Sequence, residues 1–178
     1  MKFSNLYPRL LVATLLCAST LAAQSTVFVV RHADREAPEP DPPLTPLGFE
    51  QAAALARTLA DTPVTHIYTS EALRTHQTAA PTAERFHIHP VEINAKELDK
   101  LIGQVRATLK PGEATLVVGH RASVPRIVKA LTGKEVTPLR FDEFDRLEIV
   151  TLFADGRSNV VTLRYATACS LPATAERK

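Results

Sequence analysis

The chain has 178 residues, 45% of them apolar and 22% charged, with a formal net charge of +2. That is the profile of one ordinary globular domain, with no call for a second and too little positive charge for a nucleic-acid binder. Taking away residues 1–23 removes Lys2 and Arg9 and no acid, leaving the remainder formally neutral, so any attraction for an anion has to be local.

Lys2 and Arg9 precede an apolar run from Leu10, followed by the small residues Ala18, Ser19, Thr20, Ala22 and Ala23. This order is that of a secretory signal, with cleavage expected after Ala22 or Ala23 and an uncleaved anchor as the alternative. The run is short of the roughly 20 apolar residues that span a bilayer. The mature protein is therefore expected to be exported, periplasmic or secreted, with no membrane contact after cleavage. Cys17 follows the bulky Leu16, where lipoprotein signals prefer a small residue. Cleavage leaves only Cys169, so no internal disulfide can form and stability must come from the core.

Val27-Phe28-Val29-Val30 is apolar on both faces, as in a strand covered by helices on both sides. Arg31 and His32 follow at its carboxyl end, where open α/β sheets bind ligands. Residues 34–46 hold prolines at 38, 40, 42, 43 and 46 and acids at 34, 36, 39 and 41. They read as a stiff loop, either a solvated connector or, because it leaves directly from His32, a wall of an active site. Thr45 caps a helix with Pro46 at its first position, and Ala52, Leu55, Ala56 and Leu59 repeat at helical spacing until Asp61-Thr62-Pro63. His66-Ile67-Tyr68 is a short strand. Ser70 can cap the next helix, which passes through Arg74 and Ala79 and meets a potential kink at Pro81.

A strand is expected near Ile88–Ile93, with His87 and His89 on one face of it. Leu98, Leu101, Ile102, Val105 and Leu109 mark an amphipathic helix closed by Pro111-Gly112. Thr115–Val118 is a second apolar strand, running out into Gly119-His120-Arg121, and a helix from Ser123 to Leu131 stops at Gly133. Leu147–Phe153 and Asn159–Tyr165 form a hairpin across Ala154-Asp155-Gly156-Arg157. The expected architecture is a three-layer α/β/α sandwich on a mixed, mostly parallel sheet, one domain over 24–165 with a tail at 166–178. There is no internal repeat.

Two strands that end in histidine, with a helix carrying Arg74 between them in sequence, can gather Arg31, His32, Arg74 and His120 around one point. A neutral imidazole can attack phosphorus and carry the phosphoryl group, which makes His32 the candidate nucleophile. Arg31 and Arg74 offer planar forks for phosphate oxygens. His120, once protonated beside a phosphate dianion, adds a further donor. His87 and His89 lack Cys or carboxylate partners at metal-ligand spacing, so no metal or other cofactor is expected. Ser123 lacks a Gly-x-Ser-x-Gly elbow, Gly133-Lys134 lacks the glycine of a P-loop, and His76 sits two residues after Arg74, off its helical face.

The motifs Arg31-His32-Ala33, Thr45-Pro46-Leu47-Gly48, Ser70 through Arg74 to Thr78-Ala79, and Gly119-His120 occur in an order that resembles the histidine phosphatase superfamily, the phosphoglycerate-mutase-like enzymes. The resemblance runs from about Val27 to Tyr165, with Ala33 where the family carries glycine. It implies the phosphoglycerate-mutase-like fold and a phosphohistidine on His32, with Arg31, Arg74 and His120 as the phosphate pocket. It also implies a phosphorylated small molecule or phosphoprotein as substrate. Family members with a clear proton donor carry a Gly-x-x-Glu-Gly pattern that is missing here, which leaves Glu97, the candidate donor, and Glu92 in the corresponding region. In this respect the chain is similar to the short phosphatases that act on phosphohistidine. A phosphate-binding member without turnover and a phosphomutase are the alternatives, and oligomeric state is left open.

Overall fold

In β1 (Gln24–Arg31) successive side chains point to opposite sides, and both sides are apolar. Val27 and Val29 enter one core cluster, Phe28 and Val30 the other. The computed structural model describes residues 24–36 and 40–165; the expected leader and tail lie outside these. The remaining elements are α1 (Pro46–Thr58), β2 (Val64–Thr69), α2 (Leu73–Phe86), β3 (Val91–Glu92), α3 (Leu98–Thr108), β4 (Ala114–Gly119), α4 (Ser123–Thr132), β5 (Arg146–Phe153) and β6 (Ser158–Arg164).

The six strands form one sheet in the order β3-β2-β4-β1-β5-β6. Pairing is parallel from β3 to β1 and antiparallel from β1 through β6, the mixed arrangement expected. Leu55 of α1 with Leu59 at its C-cap, and Ala79 and Ala83 of α2, close one face over Phe28, Val30, Ile67 and Leu116. Val105 of α3 and Val124, Ile127 and Val128 of α4 close the other over Val27, Val29 and Val117. Each fully buried aliphatic side chain contributes about 1.5–3 kcal/mol. No helix among the described residues is long and apolar enough to cross a membrane.

Several local expectations need correction. Ser70 does not cap α2: Ala72 is its N-cap residue without a side-chain bond, and the first helical N–H, that of Leu73, donates instead to the Asp41 carboxylate at 3.0 Å. The cap is thus supplied by the proline-rich loop, which the sequence spacing could not reveal. Pro81 lies inside α2 without ending it. The strand expected over Ile88–Ile93 shrinks to Val91–Glu92, because β3 is an edge strand that pairs with β2 at only two positions. His87 and His89 consequently share no strand face. His87 closes α2 in the left-handed region with φ 55°.

Thr45 does cap α1 as expected: its Oγ1 accepts from Gly48 N–H at 3.0 Å and its hydroxyl donates to Asp34 Oδ2 at 2.9 Å. The cap binds the helix start to the chain just beyond His32, and it explains Gly48. A Cβ at Gly48 would lie 2.0 Å from the Asp34 carbonyl oxygen, so the helix can approach that backbone only without a side chain. Gly48→Ala is expected to cost at least the ~1–3 kcal/mol typical of overpacking. An unchanged urea midpoint would contradict this account of the contact.

Candidate functional site

β1 and β4 run side by side with Arg31 opposite Gly119, and His32 N–H extends the ladder to the Gly119 carbonyl at 2.9 Å. The residues after the paired ends, His32 and His120, therefore emerge together, with ring centroids 5.4 Å apart. β2 flanks β4 on the far side and delivers Ser70 and then the first turn of α2, which carries Arg74. Strand register and helix start thus bring together the four residues expected from the sequence.

His32 is buried, and its Nδ1 lies 2.8 Å from the Ala33 carbonyl oxygen. A carbonyl can only accept, so Nδ1 carries the proton and the Nε2 lone pair is left unprotonated. Burial pushes this imidazole down to about 3; the Ala33 carbonyl opposes the shift, while the charges of Arg31, His120 and Arg74 add to it. At neutral pH it is an uncharged base of fixed tautomer. Ala33, which replaces the glycine of the motif, fits without backbone strain: its φ is not positive and its methyl packs with Leu44 and Ala52.

His120 is held by the residue once expected to cap α2. Its Nε2 lies 2.9 Å from Ser70 Oγ, and Arg74 NH2 approaches its Nδ1 at 3.5 Å. An arginine can only donate, so Nδ1 accepts and Nε2–H donates to Ser70. Burial, then the charge of Arg74, lowers this imidazole to about 4, against the opposing pull of Glu71. Gly119 leaves room for this arrangement, since a Cβ there would meet Ser123 Oγ at 2.7 Å, and that hydroxyl accepts the His120 N–H at 2.8 Å.

Both guanidinium groups are partly committed. Arg31 NH1 donates to the main-chain carbonyls of Arg140, Phe141 and Glu143, and burial, then the charges of Arg121 and Arg35, lowers its pKa to about 10, so it stays cationic. Arg74 NH1 meets Asp41 Oδ1 at 3.3 Å. In each, Nε is buried without a hydrogen-bond partner. A buried donor without a partner costs ~1–3 kcal/mol, and two of them flanking two imidazoles make a pocket whose missing complement is an acceptor-rich anion.

The loop from Asp34 behaves as a wall of the site. Gln51 and Gln77 accept Asp34 N–H and Leu44 N–H, each at 2.8 Å, and Thr78 Oγ1 accepts Ala33 N–H at 2.9 Å. The polar residues of the Gln77-Thr78 stretch are therefore spent on holding the chain around His32. Glu97 lines a small cavity of ≈ 20 Å³ together with Ser70, Ile93 and His120, beside the cluster rather than within it, since Arg31, His32 and Arg74 do not line it, and its carboxylate pairs with Lys100 at 3.1 Å. Glu92 instead meets His76 at 3.0 Å, and His76 lines a different pocket with His87 and His89. No three His, Cys, Asp or Glu side chains among the described residues are grouped to hold a metal ion.

Sequence reasoning did not single out Glu71 or Phe144. Burial alone would raise the Glu71 carboxyl, but N–H donors, including Ala95 at 2.8 Å, and the charges of His120 and Arg74 hold it below its usual range. The Phe144 ring lies 3.8 Å from Arg31 Cζ and 6.1 Å from the His32 ring. Neither carries a local signal: one is an ordinary acid at a helix start, the other a single aromatic in a loop.

The family profile of the histidine phosphatase superfamily (branch 1) matches residues 27–101. No curated protein matches the chain. Among solved structures, the protein histidine phosphatase SixA complexed with tungstate is 20% identical, over 79% of this chain and 97% of that one, with a TM-score of 0.61. The mycobacterial glucosyl-3-phosphoglycerate phosphatase is 13% identical, over 80% and 99%, with a TM-score of 0.66. The phosphoglycerate mutase of Plasmodium falciparum is 17% identical, over 84% and 96%, with a TM-score of 0.60. These likenesses establish a shared fold, the phosphoglycerate-mutase-like α/β architecture. The profile match spans three of the four motif-bearing segments, those of Arg31-His32-Ala33, Thr45–Gly48 and Ser70–Ala79, and over these residues the chain is similar to the histidine phosphatase superfamily, branch 1.

Proposed function

We propose that the chain is an exported phosphatase that transfers the phosphoryl group of a phosphomonoester or phosphoramidate to His32 and then to water. Phosphatase activity is supported by the profile match over residues 27–101 and by the phosphatases among the structural neighbours. The route is our reading, and one observation carries it: an uncharged imidazole with a bare Nε2 stands among two arginines whose Nε donors are buried and unpartnered. In the first step the Nε2 lone pair forms a bond to phosphorus as the bond to the leaving oxygen or nitrogen breaks. Arg31 and Arg74 neutralise the phosphoryl oxygens, so the charge that a metal ion would otherwise meet falls to guanidinium groups. His120 takes up a proton as the dianion enters and becomes a further donor. Water then attacks phosphorus, the N–P bond breaks, and inorganic phosphate leaves with His32 restored.

The leaving group needs a proton. Glu97, across the pocket from His120, is the proposed donor for ester substrates. Because that carboxylate is shared with Lys100, a leaving group that is itself basic suits the site best, and the phosphohistidine phosphatase among the structural neighbours points the same way. Export rests on the leader alone, residues 1–23.

Rapid quenching with a labelled phosphomonoester is expected to trap an acid-labile, base-stable phosphoenzyme at His32. Steady-state release of phosphate with no labelled protein at any quench time would remove the covalent route. Phosphate binding without turnover of esters or phosphoramidates would leave a binding protein, and return of the phosphoryl group to an acceptor would leave a mutase.

A further inference from the structure

The guanidinium of Arg31 is gripped at one end by main chain. Its NH1 donates to the carbonyls of Phe141 at 2.7 Å, Glu143 at 3.1 Å and Arg140 at 3.3 Å. The face of the group rests on the Phe144 ring. By the covalent geometry of arginine, this leaves the opposite edge, Nε and NH2, as the fork that can meet an oxyanion. Three carbonyl dipoles aimed at one nitrogen also repel one another, so the 140–143 segment needs something to hold its shape.

That something is Glu143. Its side chain is only 6% exposed, and Oε2 accepts the N–H of Arg140 at 2.9 Å, closing the segment on itself. Oε1 accepts Arg164 NH2 from β6 at 2.6 Å, and Arg146 NH1 lies 3.7 Å away. Burial alone would raise this carboxyl, but the Arg140 N–H, the Arg164 contact and the charges of Arg146 and Arg164 outweigh it and hold the group below its ordinary value. It is therefore an ionised clasp at neutral pH, joined to the hairpin on one side and to the carbonyls around Arg31 on the other.

We infer that Glu143 is a positioning residue for phosphate recognition: by clasping the 140–143 segment to β6 it sets the carbonyls that turn the Nε–NH2 edge of Arg31 toward the phosphoryl group. The inference rests on the phosphatase reading above and adds a residue that does not itself touch substrate. Its effect should pass entirely through Arg31, and a double-mutant cycle isolates that property.

The test is calorimetric titration of inorganic phosphate into wild type, Glu143→Ala, Glu143→Gln, Arg31→Ala and the double variant Arg31→Ala/Glu143→Ala. Circular dichroism establishes that each is folded, and p-nitrophenyl phosphate kinetics run alongside. Glu143→Ala is expected to weaken phosphate binding by about tenfold, with kcat/KM falling in parallel. Glu143→Gln, which can keep the Arg140 contact but supplies no charge to Arg164, should fall between it and wild type. With Arg31 already alanine, removing Glu143 should change phosphate affinity by less than twofold. If Glu143→Ala does not fold, the same cycle run with Glu143→Gln decides. Equal losses with and without Arg31, or a lower unfolding temperature with unchanged phosphate affinity, would overturn the inference and leave Glu143 a purely structural residue. A wild type that binds no phosphate would instead overturn the phosphatase reading, and this inference with it.

Discussion

Replacing His32 with alanine is expected to lower turnover by about 10³-fold or more, the scale on which removal of a covalent nucleophile acts, while oxyanion affinity stays within tenfold of wild type. The two effects separate because different atoms produce them. The nucleophile is one lone pair, on Nε2, oriented by the bond between Nδ1–H and the Ala33 carbonyl. Affinity comes chiefly from charge, and Arg31 and Arg74 remain when the ring is gone. The main-chain tie from His32 N–H to Gly119 is also independent of the side chain, so strand register is kept. Turnover of p-nitrophenyl phosphate and calorimetric binding of inorganic phosphate, measured on the same preparation, check both halves. A variant that keeps wild-type turnover would place the chemistry on another residue. One that loses turnover and binding together would give His32 a structural part that its hydrogen bonds do not suggest.

Acid is expected to destabilise the protein well before its carboxylates titrate. In the unfolded chain a histidine takes its proton near pH 6.5. Folded, His32 and His120 do so only near 3 and 4, burial being the largest cause for each. As pH falls below about 6.5 the unfolded state therefore binds protons that the folded state refuses, and stability drops with each step until the folded rings titrate in turn. A group in that window loses ~1.4 kcal/mol per pH unit, which puts the loss at pH 5 at about 2 kcal/mol for each ring. Urea midpoints at pH 7.5 and 5 should show the decline, and His120→Asn should lessen it by about half.

Sulfate sharpens the same prediction. It remains a dianion across this range, and placed between the arginines it would favour a protonated His120. It should thus raise the midpoint more at pH 5 than at pH 7.5. A sulfate effect that is equal at both values would separate the histidine protons from anion binding.

Much of this site could be read from residues in a row. Val27 to Val30, followed by Arg31-His32, announced a buried strand with reactive groups at its end, and Thr115 to Val118 before Gly119-His120 announced its neighbour. Thr45 with Pro46 marked the start of α1, and Asp155-Gly156 the hairpin, where Gly156 adopts φ 84°. Each of these signals is local: the periodicity of a strand, the donor deficit at a helix start, the positive φ of a tight turn. The expected cap by Ser70 and the expected strand over Ile88–Ile93 failed for one shared reason. Each was decided by a partner distant in the chain: Asp41 took the first N–H of α2, and β2 offered β3 only two paired positions.

β5 shows the same division inside a single strand. Its apolar residues identify it in the sequence, yet Glu148 at its centre is wholly buried. That burial is tolerated because Arg146 Nε and Thr162 Oγ1 each bond its carboxylate at 2.6 Å, as a buried charge requires. The amino-acid order alone thus determined the alternation of elements, the two strands that end in histidine and the supply of arginines near them. Only the tertiary structure decided which nitrogen of each imidazole bears a proton, which edge of Arg31 faces outward and which acid is held too firmly to act elsewhere. The His120 proton and the Arg31 edge depend on hydrogen bonds of fixed direction to groups scores of residues away, and even the bond from His32 to its neighbour Ala33 has its direction set by the folded surroundings, so none of these exists until the chain has closed on itself.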